Sequence, residues 1–358
     1  MNEQGKHKNY KAQKPSRALV LMTDRHIGNL LVSMPAMLAL QDHYQSIPHC
    51  FVVDEGFAEL VENVIEPANT LFYPRHKIKL GNPLSRAYAY LAFLWRLHAF
   101  KADVLVDLAG SRNSGVLSRS SGARARVASN RAKRPAMYTD LVELNADTHK
   151  VHDYTDISSA LGAESDGSLF QFEPSEDKLT KIRELLKVAD IQFDRPLVSV
   201  HIGAGRIQKL WSIKGFVEVV NWLTRHNCQV VFLGAKAESA RVNEVISKLE
   251  RPVLNMVGNI SLGELLALLK LSTAYLGNDS GPMHMAAAMG TPGVAMFSYA
   301  RESEWGPRSD SFILLRGQEI CKPCIKKRCT DPVCINTLAT EPVIRELATL
   351  LQLEYRAA

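Results

Sequence analysis

Residues 273–298, TAYLGNDSGPMHMAAAMGTPGVAMFS, limit what this chain can fold into more than any other stretch. Residues 273–277 are apolar and partly β-branched, as in a buried strand. Asn278-Asp279-Ser280-Gly281 has the composition of a sharp turn. Pro282 suits the first helical position, where its missing N–H loses no partner. Residues 283–289 form an apolar, alanine-rich helix, Gly290 can close it in the left-handed conformation, and residues 293–298 return as a strand. A helix starting just beyond a strand's carboxyl end turns unpaired N–H groups and the positive end of its dipole outward. That is where α/β proteins hold phosphate. Asp279, Ser280 and His284 gather at this helix end. The plainer reading is a packed βαβ unit whose turn is merely polar.

The segment GNDSGPMHMAAAMGTP, with its approach SLGELLALL at 261–269, resembles the C-terminal signature of glycosyltransferase family 9, the ADP-heptose:lipopolysaccharide heptosyltransferases. The resemblance implies an α/β fold of GT-B type, two Rossmann-like α/β domains facing a central cleft. It implies heptose transfer from ADP-heptose, or a related nucleotide-sugar, to the lipopolysaccharide core, by direct displacement with inversion and with no cofactor.

A length of 358 residues favours two domains over a single core. No stretch approaches the roughly 20 apolar residues of a spanning helix. The basic N-terminus lacks the apolar segment and cleavage site of a signal peptide, so a flexible tail at 1–16 and a cytoplasmic protein are expected. Charge is uneven: residues 1–150 hold 20 Lys and Arg against 13 Asp and Glu, and the remainder holds 23 against 24. The N-terminal half is therefore the one suited to an anionic partner. Without a helix-turn-helix, zinc-finger or RNA-binding signature, nucleic acid is disfavoured against a phosphorylated glycolipid at the inner membrane surface.

In chain order, residues 17–23 read as a buried strand and 24–29 as a loop. A helix follows over 30–44, with a kink expected at Pro35, and then a strand over 50–54. In family 9 the glycine of the first loop precedes an aspartate proposed as catalytic base. Here Gly28 precedes Asn29, and an amide takes no proton from a sugar hydroxyl. Either Asp24 serves, or the base lies elsewhere, or transfer is impaired. Residues 84–100 form an aromatic helix with two readings. It is a core helix, or an interfacial one presenting Tyr90, Phe93 and Trp95 to lipid and Arg86 and Arg96 to headgroups.

A strand over 102–108 ends near Asp107. The run from Gly110 to Pro135, rich in Gly, Ser and Arg, reads as a basic loop: a solvated face, or arginines poised for bidentate contacts. The family resemblance assigns acceptor binding to Arg112, with Arg119 and Gly28 as further candidates. On this reading 17–165 is an acceptor-binding domain, 166–195 a linker and 196–358 a nucleotide-sugar domain with a Cys-rich tail segment.

The second half opens with a strand over 196–201, the turn Ile202-Gly203-Ala204-Gly205 and Lys209-Leu210-Trp211. Family 9 carries a Pro-Gly-Ala turn and a Lys-x-Trp segment here; this chain keeps Gly203, Ala204, Lys209 and Trp211. A lysine beside a glycine-rich βα turn is a countercharge for a diphosphate. Donor binding is thus expected from Gly203, Lys209, Asp279, Ser280, Gly281 and His284. Glu238, after the strand at 229–233, either meets ribose hydroxyls or is an exposed helix-start residue. Catalysis falls to Lys209 and the Asp24/Asn29 pair.

Cys321, Cys324, Cys329 and Cys334 crowd together without the spacing of paired CxxC knuckles. Structural zinc, free thiols and disulfides all remain open. No Asp-x-Asp follows an apolar strand, so no catalytic metal is expected. Two other classes compete with the heptosyltransferase: a family 9-like binding protein that has lost its base, and an enzyme acting on a different nucleotide-sugar.

Overall fold

The computed structural model describes residues 15–62, 64–145, 148–299, 301–317, 321 and 329–355. Most of the expected basic tail lies outside them, as does Cys324. The chain divides into two compact units, the first ending at Ser168 and the second starting at Leu169.

The first unit carries β1 (Ala18–Met22), β2 (His49–Asp54), β3 (Thr70–Tyr73), β4 (Val104–Asp107), β5 (Ala125–Ser129) and β6 (Asp140–Val142), with α1 (Ile27–Tyr44), α2 (Ala58–Val61), α3 (Arg75–Leu80), α4 (Pro83–Ala99), α5 (Arg112–Ser120) and α6 (Lys150–Ser159) between and after them. Its strands are parallel, in the order β3-β2-β1-β4-β5-β6. Every residue of β1, β2 and β4 is buried. A parallel sheet covered on both faces needs such continuous apolar strands rather than alternating ones.

The second unit repeats this plan. Its strands are β7 (Leu197–His201), β8 (Gln229–Phe232), β9 (Leu254–Asn255), β10 (Ala274–Asn278), β11 (Gly293–Met296) and β12 (Phe312–Leu315). Its helices include α7 (Glu176–Val188), α8 (Ile213–Arg225), α9 (Ser239–Ile246), α10 (Leu262–Leu271) and α11 (Gly281–Ala288). The order β12-β11-β10-β7-β8-β9 is again parallel and again reverses between the unit's first and fourth strands. In both units the loops leaving those two strands part to opposite faces, and the crevice they leave is where open α/β sheets bind ligands. Asp24 and Asp107 flank that point in the first unit. The Gly203–Lys209 loop and the Asp279–Gly281 turn flank it in the second.

Local sequence explains several elements. Ser261 caps α10 through a reciprocal pair: its hydroxyl accepts from the Glu264 N–H while Glu264 accepts from the Ser261 N–H, a motif contributing about 1 kcal/mol. Glu264 also meets Lys181 of α7 at 2.5 Å. The stretch 166–195, expected as a linker, thus holds α7 and groups with the second unit from Leu169 onward. Trp211 is fully buried, edge-on to Phe216 at 5.1 Å. A Cβ on Gly215 would come within 2.5 Å of the Trp211 ring, so the close approach requires glycine.

Several sequence readings are corrected. Helix α1 begins at Ile27, which places Gly28 and Asn29 in its first turn rather than in a loop. Pro282 is the second residue of α11, after Gly281. Gly290 does adopt the left-handed conformation, at φ +72°. The run 110–134 is no loop, since α5 and β5 occupy most of it. Helix α4 buries only Phe93 and Leu97, so it is no core helix. Phe93, placed against lipid on the interfacial reading, instead packs edge-on against Tyr73 at 5.1 Å.

Candidate functional site

In the second unit, three loops at the carboxyl ends of β7, β8 and β10 are tied into one surface. Asn278, fully buried at the end of β10, donates to the carbonyls of Ile202 and Gly203 at 3.0 and 3.3 Å. Its side-chain oxygen accepts from the Trp211 N–H at 3.1 Å. Arg241 of α9 closes the same loop, donating to the carbonyls of Ile202 at 3.2 Å and Trp211 at 2.5 Å. These bonds fix where Lys209 stands.

Lys209 Nζ lies 2.5 Å from Asp279 Oδ2 and 6.0 Å from the centre of the Tyr299 ring. Burial pushes the Asp279 carboxyl above the usual range, and the Lys209 charge opposes that push. Ser280 is the N-cap residue of α11 with no side-chain cap bond of its own, so its hydroxyl is turned elsewhere. It meets His201 Nδ1 at 3.0 Å, and the other nitrogen of that ring meets Glu238 Oε2 at 3.2 Å. Glu238 also accepts from the Ala235 N–H at 2.7 Å. Burial raises the Glu238 carboxyl, but the His201 hydrogen bond and charge together with the Ala235 N–H outweigh it and leave the group below its ordinary value. A Cβ on Gly203 would fall 1.5 Å from Glu238 Oε1. The glycine is therefore a condition for the Glu238 position.

Of the donor candidates, the structure thus groups Lys209 with Asp279, and Gly203 with Glu238 and Ser280. Gly281 starts α11, and His284, buried, follows within its first turn. Glu238 is half-buried and capping, so it is not merely an exposed helix-start residue. His201 was missed by sequence reasoning. Its signal was a histidine ending a buried strand directly before a glycine-rich turn.

In the first unit, Asp24 follows β1 and takes hydrogen bonds from three directions. Its Oδ1 accepts from the His26 N–H at 2.8 Å and meets His26 Nδ1 at 2.7 Å, while Oδ2 accepts from Asn29 Nδ2 at 2.9 Å. Burial raises this carboxyl, and the bonds from His26 and Asn29 together bring it below the usual carboxylate value. The residue is thus held as a carboxylate at the start of α1. Arg75, paired with Asp54, donates to the Thr23 carbonyl at 2.6 Å and braces the same loop.

Across the switch point, fully buried Asp107 accepts from Tyr138 Oη at 2.5 Å and from the N–H groups of Ala109 and Gly110 at 2.9 and 3.1 Å. Burial raises its pKa. Its role is to shape the turn that launches α5, where Ser111 and Ser114 form a capping box. Arg112 is the first residue of α5 and exposed. Arg119 sits in the last turn, roughly 10 Å further along the axis at 1.5 Å per residue. The two arginine candidates for the acceptor are therefore at opposite ends of one helix. Arg126 donates to the carbonyls of Ala123 and Met137, and Arg131 pairs with Asp153 at 3.1 Å, so both are structural.

Cys321 is exposed and Cys329 and Cys334 are half-buried. With Cys324 outside the described residues, the four are not placed as a set. Among the described residues no group of three or more His, Cys, Asp or Glu could hold a metal ion.

Comparison with known proteins converges on one group. The family model described as glycosyltransferase family 9 (heptosyltransferase) matches residues 90–334. The lipopolysaccharide core heptosyltransferase OpsX of Haemophilus influenzae is 32% identical over 117 residues, 32% of this chain and 34% of that one. Lipopolysaccharide heptosyltransferase 3 of Escherichia coli is 25% identical over 300 residues, 81% of this chain and 86% of the relative. Among solved structures, the glycosyl transferase family 9 protein of Veillonella parvula superposes with a TM-score of 0.80 at 21% identity, covering 94% of this chain and 97% of that one. The E. coli heptosyltransferase WaaC with ADP gives 0.69 at 18% identity, covering 93% and 99%. The fold is that of these GT-B-like proteins.

Proposed function

This chain belongs to glycosyltransferase family 9, and from that membership we propose that it moves heptose from ADP-heptose onto the inner core of lipopolysaccharide. The observation that carries this reading is the Lys209–Asp279 pair beside the N-terminus of α11, braced by Asn278 at the switch point of the second sheet. A cation and the positive end of a helix at one place suit a leaving diphosphate. A relative of the same fold carries ADP.

In this reading the donor's diphosphate lies against the start of α11, between Gly281 and Lys209. Asp279 holds the ammonium in place, and Ser280, set by His201, donates to a phosphate oxygen. Glu238 faces the ribose hydroxyls across Gly203, and His284 lines the first turn of α11. As the bond from the anomeric carbon to the diphosphate breaks, charge grows on the departing oxygen, and Lys209 and the helix N-terminus stabilise it. Asp24 takes the acceptor hydroxyl's proton as that oxygen attacks from the opposite side, giving inversion without a covalent intermediate. The side chain of Asn29 fixes the carboxylate that does this. Gly28 keeps the acceptor side of this turn open, and Arg112 meets acidic groups of the acceptor, with Arg119 an outer contact. The leaving group's charge is met by protein cations and dipoles, so transfer proceeds without a metal.

In this reading the enzyme works in the cytoplasm, peripheral to the inner face of the membrane, where a nucleotide-sugar and a lipid-borne acceptor can meet. Among the described residues no helix is long and apolar enough to cross a membrane. The test is ADP release from ADP-heptose with a heptose-deficient core acceptor, with and without chelator, and the anomeric configuration of the product read by NMR. A retained anomer or a chelator-sensitive rate contradicts the mechanism. Asn29 at the family's base position also motivates a second reading, a binding protein without turnover. It would bind ADP-heptose and release no ADP with any acceptor. Release from a different nucleotide-sugar alone would keep the transferase and change its donor.

A further inference from the structure

Helix α4 leaves an apolar stripe uncovered. Leu84, Tyr88, Leu91 and Trp95 recur at i, i+4, i+7 and i+11, the spacing of one helical face, and are 84%, 75%, 63% and 71% exposed. Leu80, ending α3, is exposed beside them. These five are half of the ten large exposed apolar side chains found among the described residues. Single exposed apolar residues are ordinary, whereas a contiguous stripe marks an interaction surface.

The charges around the stripe are of one sign. From Pro67 to Ala102 the sequence holds no Asp or Glu, while Arg75, Lys77, Lys79, Arg86, Arg96 and Lys101 are all basic. Arg75 is used internally, against Asp54 and Thr23. Lys77, Lys79, Arg86, Arg96 and Lys101 are exposed. Between α3 and α4 runs a groove of about 700 Å³ walled by Phe72, Leu80, Tyr88 and Phe93, with Lys77 and Arg96 also lining it; Glu55 is its one carboxylate. Glu55 is occupied there, accepting from the His76 N–H at 2.7 Å.

We propose that the α3–α4 face is a docking surface for an anionic lipid bilayer. The stripe enters the boundary between headgroups and acyl chains, and the exposed cations on either side meet lipid phosphates, the arrangement of an interfacial amphipathic helix. A protein partner would need acidic groups ringing an apolar ridge. A second copy of this face would set its own cations against one another. A negatively charged bilayer satisfies the apolar and basic features together, and it satisfies them without a shaped partner. This assignment deepens the membrane part of the reading above by naming the surface involved.

The test is co-sedimentation of the full-length protein with vesicles of phosphatidylcholine alone or mixed with phosphatidylglycerol, at low and high salt. Leu91→Ser/Trp95→Ser and Lys77→Glu/Lys79→Glu are measured beside wild type, with circular dichroism confirming that both fold. Wild type is expected to sediment with the anionic vesicles, weakly with neutral ones, and less at high salt. Each double variant is expected to lose at least roughly tenfold in binding. Wild type that ignores anionic vesicles, or variants that bind them like wild type, overturns the assignment. So does a wild-type dimer that Leu91→Ser/Trp95→Ser makes monomeric with vesicle binding unaltered. Vesicle binding involves no sugar, so it is read independently of transfer. ADP release with a soluble, delipidated core oligosaccharide is expected to be unchanged in both variants.

Discussion

The side-chain amide of Asn29 donates a 2.9 Å hydrogen bond to Oδ2 of Asp24. The family resemblance implies an aspartate where this chain has Asn29. Here the carboxylate stands five residues earlier, and the amide in the familiar place holds it. Asp24 lies three residues ahead of α1 and Asn29 in its first turn, so a carboxylate still stands at that helix end.

The first prediction concerns pH. Asp24 lies below the ordinary carboxylate range because the His26 and Asn29 bonds outweigh burial. A base must be deprotonated, so transfer should persist as pH falls and fail only below the usual carboxylate value. The same depressed value adds stability that is present above the unfolded pKa and lost as pH falls through the folded one. Asn29→Ala removes one bond to the carboxylate. The acid limb of its pH–rate profile should move upward; an unmoved limb would separate Asn29 from the base.

Asn29→Asp should behave differently. A second carboxylate within hydrogen-bond distance of the first raises one of the two pKa values, and the pair titrates in two steps. The acid limb of the rate profile should broaden, with activity retained at neutral pH. A profile superposable on wild type would show that the two groups do not couple.

Lys209→Ala should abolish transfer, since the departing diphosphate loses its cation. It also leaves Asp279 buried without its partner. Lys209 is partly exposed, so the loss of stability should stay under the roughly 3–5 kcal/mol of a fully buried pair. Burial already raises the Asp279 carboxyl. A group with a raised folded pKa holds its proton better in the native state, so its contribution fades as pH rises through that value. Denaturant midpoints of Lys209→Ala should therefore drop from acidic to neutral pH more steeply than those of wild type. Parallel curves would contradict the pairing.

The contact between Gly203 and Glu238 predicts non-additivity. Gly203→Ala puts a methyl group where the Glu238 carboxylate lies, and should weaken donor binding about as much as Glu238→Ala. The double variant should be little worse than either single one. Losses that simply add in isothermal titration with ADP-heptose would mean that the two residues act separately.

Much of this was legible in sequence, for physical reasons. The strands of a sheet covered on both faces must be continuously apolar, and β1, β4, β7 and β10 announced themselves as such runs. The turn at Asp279 was legible because acid, hydroxyl, glycine and histidine converge on one helix start. His201 escaped because its partners, Ser280 and Glu238, come from two other strand ends, and only the strand order brings them together. Arg112 and Arg119 looked like one cluster because a charge run carries no helical axis; α5 sets them at its two ends. In α4, Phe93 looked lipid-facing by composition. The burial of Phe93 and Leu97, four residues apart, shows which face turns inward and leaves Leu91 and Trp95 outside.

The most direct measurement follows ADP release from ADP-heptose with a heptose-deficient lipopolysaccharide core, comparing wild type with Asp24→Asn. Asparagine keeps the shape of the side chain and cannot take the proton. Turnover by wild type and a loss of roughly 10²–10⁴-fold in Asp24→Asn, with ADP-heptose binding unchanged, is the expected result. Equal rates in the two proteins would contradict Asp24 as the base.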